Sequence, residues 1–236
     1  MRIVLGCAKR AIEEFNMIED GEKICVGVSG GKDSLALLKA LSLYRRLSPV
    51  KYDLHGIMLT MGFGDVDTTD IEAFCKKIDV PLTIKHTRIG KIVFEERNES
   101  NPCSLCARMR RGALHNIALE LGSKKLALGH HREDVIETLL LSMLYEGRIR
   151  TFSPVTYLDR KDITVIRPLI YAPEARIIDV IKRLEFPILK NPCPADGHTK
   201  RHDMKDLIEQ IIHMVPNAKE QMLSALRNVE QYRLWD

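Results

Sequence analysis

The stretch "KICVGVSGGKDSLALLKALSLYRRL", Lys23 to Leu47, constrains the fold more than any other. It opens with a short apolar run rich in β-branched residues, turns through two glycines, and continues with apolar residues at helical spacing. A strand apolar on both faces that feeds directly into a helix is the building unit of a parallel sheet. The unit recurs. "YDLHGIML" precedes the helical "TDIEAFCKKIDV", "LTIKH" reads as a third strand, and "KLALGH" leads into "EDVIETLLLSMLYEG". Further helices are expected over "AKRAIEEFNMIED", stopping at Gly21, and over "SLCARMRRGALHNIALELG", stopping at Gly122, while 87–102 reads as a loop. The expected fold is α/β: a parallel twisted sheet with helices on both faces, Rossmann-like.

Beyond residue 150 the pattern changes. "VTYLD" and "ITVIRPL" suggest a hairpin around "RKD", followed by helices near 173–185, 203–214 and 217–232. The reading is a first domain over 1–170 and a mainly helical C-terminal extension over 171–236, continuous with the same body. No repeat or low-complexity linker separates them.

At 236 residues the chain can bury one large core. A net charge of +4 permits a nucleic-acid partner without demanding one. No apolar run reaches membrane-spanning length, since "VIETLLLSMLY" is cut by Glu137, and "MRIVLGCAKR" lacks a signal-peptide layout. Six cysteines are too few for a disulfide-stapled secreted fold. The expectation is a cytoplasmic protein with no membrane partner, in which C-x-x-C means metal or redox chemistry.

The turn "VGVSGGKDS" lies where the first strand hands over to its helix, the edge at which open α/β sheets bind ligands. Gly30 and Gly31 let backbone N–H groups face an anion, and the helix N-terminus adds its dipole. Lys32 supplies a point charge, Ser29 and Ser34 supply hydroxyls, and Asp33 completes the turn. This is a phosphate cradle, but not Walker A, which needs glycine where the chain has Val26 and Ser or Thr where it has Asp33. "SGGKDS" after a buried strand resembles the PP-loop of the ATP pyrophosphatase superfamily, whose members split ATP between the α and β phosphates.

"NPCSLCARMRRG" places Cys103 and Cys106 in a C-x-x-C ahead of three arginines. Alone it fits zinc ligands, an iron–sulfur cluster or a redox dithiol. Cys7, Cys25 and Cys75 fall on apolar strands or helix faces and read as small core residues. Cys193 stands apart, in the Pro-flanked "NPCP", and three cysteines suit a cluster with one open iron better than a closed zinc site. At about 100° per residue, Cys103, Cys106 and Arg110 fall on one helix face. Arg108 and Arg111 are expected to point away, toward solvent or a polyanion's backbone.

"LGHHREDVIETLL" brings Gly129, His130, His131, Asp134 and Thr138 to the end of the fourth strand, at the same sheet edge. Gly129 and His130 are candidates to help hold the nucleotide. Asp134 is a candidate to hold Mg²⁺ or to move a substrate proton. Glu133 reads as ordinary helix-start acidity. A zinc pair at His130 and His131 is disfavoured because adjacent side chains diverge.

Together, "SGGKDS", "PCSLCARMRRG", "LGHHREDVIETL", "VIRPL" and "FPI" followed by a third cysteine resemble the tRNA 2-thiocytidine synthetase family of PP-loop enzymes, from about 22 to 194. The resemblance implies a PP-loop ATP-binding catalytic domain in the first part of the chain. It implies an ATP-dependent tRNA sulfurtransferase using ATP, Mg²⁺ and a 4Fe-4S cluster. By motif position the cluster ligands are Cys103, Cys106 and Cys193. The implied target is an anticodon-loop cytidine at position 32, adenylated at C2 and then thiolated, with Asp134, Arg110 and Lys32 as catalytic candidates and a homodimer as the expected assembly. The absence of flanking C-x-x-C pairs disfavours the zinc-finger 2-thiouridine synthetases. The competing readings are thiolation of a tRNA uridine, adenylation with amine transfer, and a metal-binding RNA module without catalysis.

Overall fold

The structure is a computed structural model that describes residues 1–97, 102–190, 193–194 and 200–228. Helix α1 (Arg2–Glu14) precedes β1 (Glu22–Val28), α2 (Lys32–Leu47), β2 (Tyr52–Thr60), α3 (Thr69–Lys77) and β3 (Leu82–His86). A short α4 (Ile89–Lys91) runs into a π-helical turn over Ile92–Glu96. Then follow α5 (Pro102–Glu120), β4 (Lys125–Ala127), α6 (Arg132–Glu146), β5 (Val155–Leu158), β6 (Ile163–Ile166), α7 (Glu174–Arg183), α8 (Lys200–Met214) and α9 (Ala218–Ala225).

The six strands form one sheet in the order β3-β2-β1-β4-β6-β5. β1 pairs parallel with β2 and β4, β3 with β2, and β6 with β4, whereas β5 runs antiparallel on β6. The α/β expectation therefore holds, with the hairpin after residue 150 closing one edge. β1 is central because it is apolar in both directions. Ile24, Val26 and Val28 face a core shared with α1, α2, α3 and α7, while Cys25 faces Leu114, Ile117 and Ala118 of α5. Each such aliphatic side chain, fully buried, contributes about 1.5–3 kcal/mol from removal of apolar surface.

Helix α5 starts on a proline, whose missing N–H costs nothing in the first turn. Helix α6 stops at Gly147, left-handed at φ 63°, where Arg148 N–H donates to Ser142 O at 3.0 Å.

Three readings change. The first helix, expected to stop at Gly21, starts earlier and ends at Glu14, before Asn16 at φ 47°. Residues 89–96, expected within a loop, are helical because Ile89 and Val93, four apart, bury together and Phe94 packs edge-on against Phe63, with ring centroids 5.6 Å apart. The last helix is shorter than 217–232: it ends at Ala225, and residues 229–232 lie outside the described residues, as do 98–101. Helix α7, within the proposed extension, contributes Ile177, Val180 and Ile181 to the core built by α1 and α2. Helix α8 instead packs Met204 and Ile208 onto Ile136 and Leu140 of α6. Among the described residues no helix is long and apolar enough to cross a membrane.

Candidate active site

The turn between β1 and α2 is held by its own hydroxyls. Ser34 Oγ accepts from Ser29 N–H at 3.1 Å and donates to Gly31 O at 2.9 Å, while Gly31 N–H donates to Ser29 Oγ at 3.2 Å. Gly30 takes φ +78°, and a side chain there would strike Leu189, whose N–H donates to Gly30 O at 3.0 Å. The segment leading toward Cys193 is thereby docked on the glycine loop, with Phe186 against Phe74 at 4.8 Å between ring centroids.

Lys32 does not line the cavity formed at this edge. Its ammonium lies 2.9 Å from Asp33 Oδ2 and 2.9 Å from Glu174 Oε1 on α7. Burial opposes the charge, but Asp33 and Glu174 together outweigh it and hold the Lys32 pKa above its ordinary value.

The turn after β4 meets the glycine loop backbone to backbone. A Cβ on Gly129 would lie 3.0 Å from Asp33 C and O and 3.1 Å from Ser34 N, so only glycine fits without displacement. Asp134 caps α6 by accepting His131 N–H at 2.9 Å and also receives Arg201 Nη1 at 3.3 Å. Its helix-start role and its place in the cavity wall coexist. His131 is buried, with ring nitrogens 3.5–3.7 Å from Asp33, Glu133, Asp134 and Glu174. Burial lowers its pKa and the four carboxylates outweigh that, leaving it raised. His130 diverges from it as expected: its ring packs on Phe152 at 4.8 Å, and burial lowers its pKa to about 4 despite Asp134.

Glu133 does more than begin a helix. Buried, it takes Arg132 Nη2 at 2.9 Å and the Glu174 backbone N–H at 2.8 Å. Burial would raise it, but the donors from His131, Glu174 and Arg132 bring its pKa to about 2. Glu137 is fully buried and receives Arg201 Nη1 at 2.9 Å, yet burial first, and Asp134 next, keep its pKa raised.

On α5, Cys103 is exposed, Cys106 partly buried, and Cys193 partly buried in its own segment. Asn191 and Pro192 of the second "NPC" and residues 195–199 lie outside the described residues. Burial raises the Cys106 pKa; Arg110 opposes the rise, and Cys193 and Cys103 add to it. The three thiols thus share one electrostatic environment with Arg110. Among the described residues no three His, Cys, Asp or Glu side chains gather tightly enough to hold one metal ion. A four-iron cluster, whose cysteines each bind a different iron, does not require that gathering. The donor set fits such a cluster.

A cavity of about 540 Å³ lies between the two turns and α5, the helix that carries Cys103 and Cys106. Of the expected residues, Ser29, Asp33, Ser34, Gly129, His130, Asp134 and Arg110 line it, while Gly30, Gly31, Lys32, Cys103, Cys106 and Cys193 do not. Arg111 also lines it, against expectation. Four residues beyond Ala107 and three before Leu114, both in the wall, it stands on their stripe of α5, and its Nε donates to Ala107 O at 3.3 Å. The sequence reading missed Phe152, Arg167, Arg201 and Glu174. "VIRPL" contains Arg167, but nothing local marks the other three.

A PP-loop domain matches residues 6–212. The chain is 38% identical over 230 residues to a tRNA-cytidine(32) 2-sulfurtransferase of Pelobacter propionicus, covering 96% of this chain and 86% of that one. It is 39% identical over 230 residues to the enzyme of the same name from Geobacter metallireducens, covering 96% and 90%. In fold it is similar to the U34-tRNA thiolase NcsA from Methanococcus maripaludis, solved with its 4Fe-4S cluster. The TM-score is 0.75 at 24% identity, covering 98% of this chain and 79% of that one. Matched over most of its length, the chain belongs to the PP-loop family, in the group of the tRNA-cytidine(32) 2-sulfurtransferases.

Proposed function

We propose that the chain uses ATP to replace the C2 oxygen of a tRNA cytidine, at position 32, with sulfur. The observation that carries this reading is one cavity lined both by the glycine loop (Ser29, Asp33, Ser34) and by Arg110 of the thiol-bearing helix. A carbonyl oxygen is a poor leaving group, so it must be activated before sulfur can displace it. The base oxygen attacks the α phosphate and pyrophosphate departs. Sulfide then adds at C2 and AMP leaves with the oxygen.

Ser29 and Ser34, whose hydroxyls donate within the turn to Ser34 Oγ and Gly31 O, would redirect them onto phosphate oxygens, and the N-terminus of α2 faces the same charge. Asp33 Oδ1, buried without a hydrogen-bond partner, and Asp134 would hold Mg²⁺. Arg110 neutralises charge developing at the α phosphate, and Arg111, Arg167 and Arg201 make the cavity favourable to a polyanion. Lys32, bound to Glu174, orients the turn and turns toward phosphate when ATP enters. Cys103, Cys106 and Cys193 would hold a 4Fe-4S cluster, which would deliver the sulfide. The same reading places the enzyme in the cytoplasm as a homodimer.

The test is anaerobic incubation of the cluster-loaded chain with ATP, sulfide and tRNA, followed by mass analysis of the nucleosides. The expected outcome is 2-thiocytidine with pyrophosphate released. Formation of 2-thiouridine would overturn the target, and absence of any thionucleoside would overturn the activity.

A further inference from the structure

The two ends of the cavity differ in chemistry. On the side of β2 and α5 the lining includes the aliphatic Val28, Leu59 and Leu114, with Arg110 and Arg111 beside them on α5. On the side of β4 and β6 it is aromatic, with His130 and Phe152, and Arg167 stands against them. The His130 and Phe152 ring centroids are 4.8 Å apart with planes 38° from each other, and the Arg167 guanidinium carbon lies 5.0 Å from the Phe152 centroid. Arg167 is fixed in that place: its Nη1 donates to Ser153 O at 2.6 Å and to Thr156 Oγ1 at 3.0 Å. His130 is neutral at physiological pH, because burial lowers its pKa to about 4. Three planar groups, only one of them charged, form the kind of surface on which an unstacked nucleobase rests.

The strand order separates two places for a base. The glycine loop follows β1, and β2 and β4 flank β1 on opposite sides. A nucleotide whose phosphates sit on that loop has the aliphatic wall on the β2 side for its own adenine. The β4–β6 side is left for the second substrate.

We infer that His130, Phe152 and Arg167 form the pocket that receives the pyrimidine to be thiolated, after it is turned out of the RNA loop. The inference rests on the sulfurtransferase reading and adds to it the base subsite. Phe152 is the centre of the pocket, since both other groups pack on its ring. A leucine there keeps apolar volume and removes the π face; a tyrosine keeps the face.

The experiment measures binding of the cluster-loaded full chain to two anticodon stem-loop RNAs. They differ only at the target position, which carries cytidine in one and an abasic site in the other. The wild type is expected to prefer the cytidine RNA by about tenfold. Phe152→Tyr should keep that preference, and Phe152→Leu should bind both RNAs as weakly as the wild type binds the abasic one. Its thermal midpoint reports whether the variant is folded. Equal binding of both RNAs by the wild type, or an undiminished preference in folded Phe152→Leu, would overturn the pocket even if whole tRNA is thiolated. Failure of the wild type to bind either RNA, with no thiocytidine formed from whole tRNA, would overturn the sulfurtransferase reading and the pocket with it.

Discussion

The turn after β1 and the turn after β4 both lead from a parallel strand into a helix, and both line one cavity, yet they are built by opposite means. The first is self-sufficient in its shape. Its amides and hydroxyls pair within six residues, through Ser29, Gly31 and Ser34, although Gly30 O and Lys32 reach outward to Leu189 and Glu174. The second depends on distant chain. Glu133, Asp134 and Glu137 are held by Glu174 of α7, Arg201 of α8 and, through Arg132, Glu220 of α9. A turn that carries its own partners survives changes elsewhere, whereas a turn of buried acids fails when a remote cation is removed.

The largest expected effect breaks that dependence. Arg201→Ala leaves the fully buried Glu137 with only Lys205 Nζ, 3.9 Å away, and should destabilise the fold by about 3 kcal/mol. Denaturant unfolding of the Arg201→Ala and Glu137→Gln single and double variants measures the coupling. Most of the loss should vanish in the Glu137→Gln background, and a purely additive pair would refute the dependence.

Where the two turns touch, the effect should be intermediate. Gly129→Ala pushes a methyl against Asp33 and Ser34 backbone, which cannot swing aside as a side chain would. A cost of about 2 kcal/mol is expected, with weaker ATP binding, both read by thermal unfolding with and without nucleotide. Unchanged stability would mean the turns are not in register.

The smallest effect belongs to the self-sufficient turn. Ser34→Ala removes one acceptor and one donor from a short internal network and should cost about 1 kcal/mol. That cost should add to the Arg201→Ala cost, since no hydrogen bond or ion pair joins Ser34 to Arg201. A large coupling energy between them would blur the contrast.

The same contrast explains what reading the chain can recover. Ser29, Asp33 and Ser34 were placed in the cavity wall from a six-residue motif, because their geometry is set by neighbours in sequence. Arg110 followed from helical spacing. Arg111 stands with Ala107 and Leu114 on the cavity-facing stripe of α5, and which stripe of a helix meets the cavity depends on packing. Glu133 reads as helix-start acidity because a carboxylate there is ordinary until α7 brings the Glu174 N–H and α9 brings Glu220. Lys32 was expected among phosphates; Glu174, some 140 residues later, holds it aside.

By itself, the sequence determined the strand–glycine–helix units, the parallel sheet they build and the presence of a phosphate-binding turn. Apolar periodicity and glycine conformational freedom act over a few residues and leave a local record. Tertiary structure alone decided that Leu189 docks on Gly30, and that Cys193 comes within electrostatic range of Cys106. It also set Phe152 and Arg167 beside His130 and brought Glu174 and Arg201 among buried acids. Those contacts join segments far apart in the chain, and each depends on how whole helices pack against one sheet.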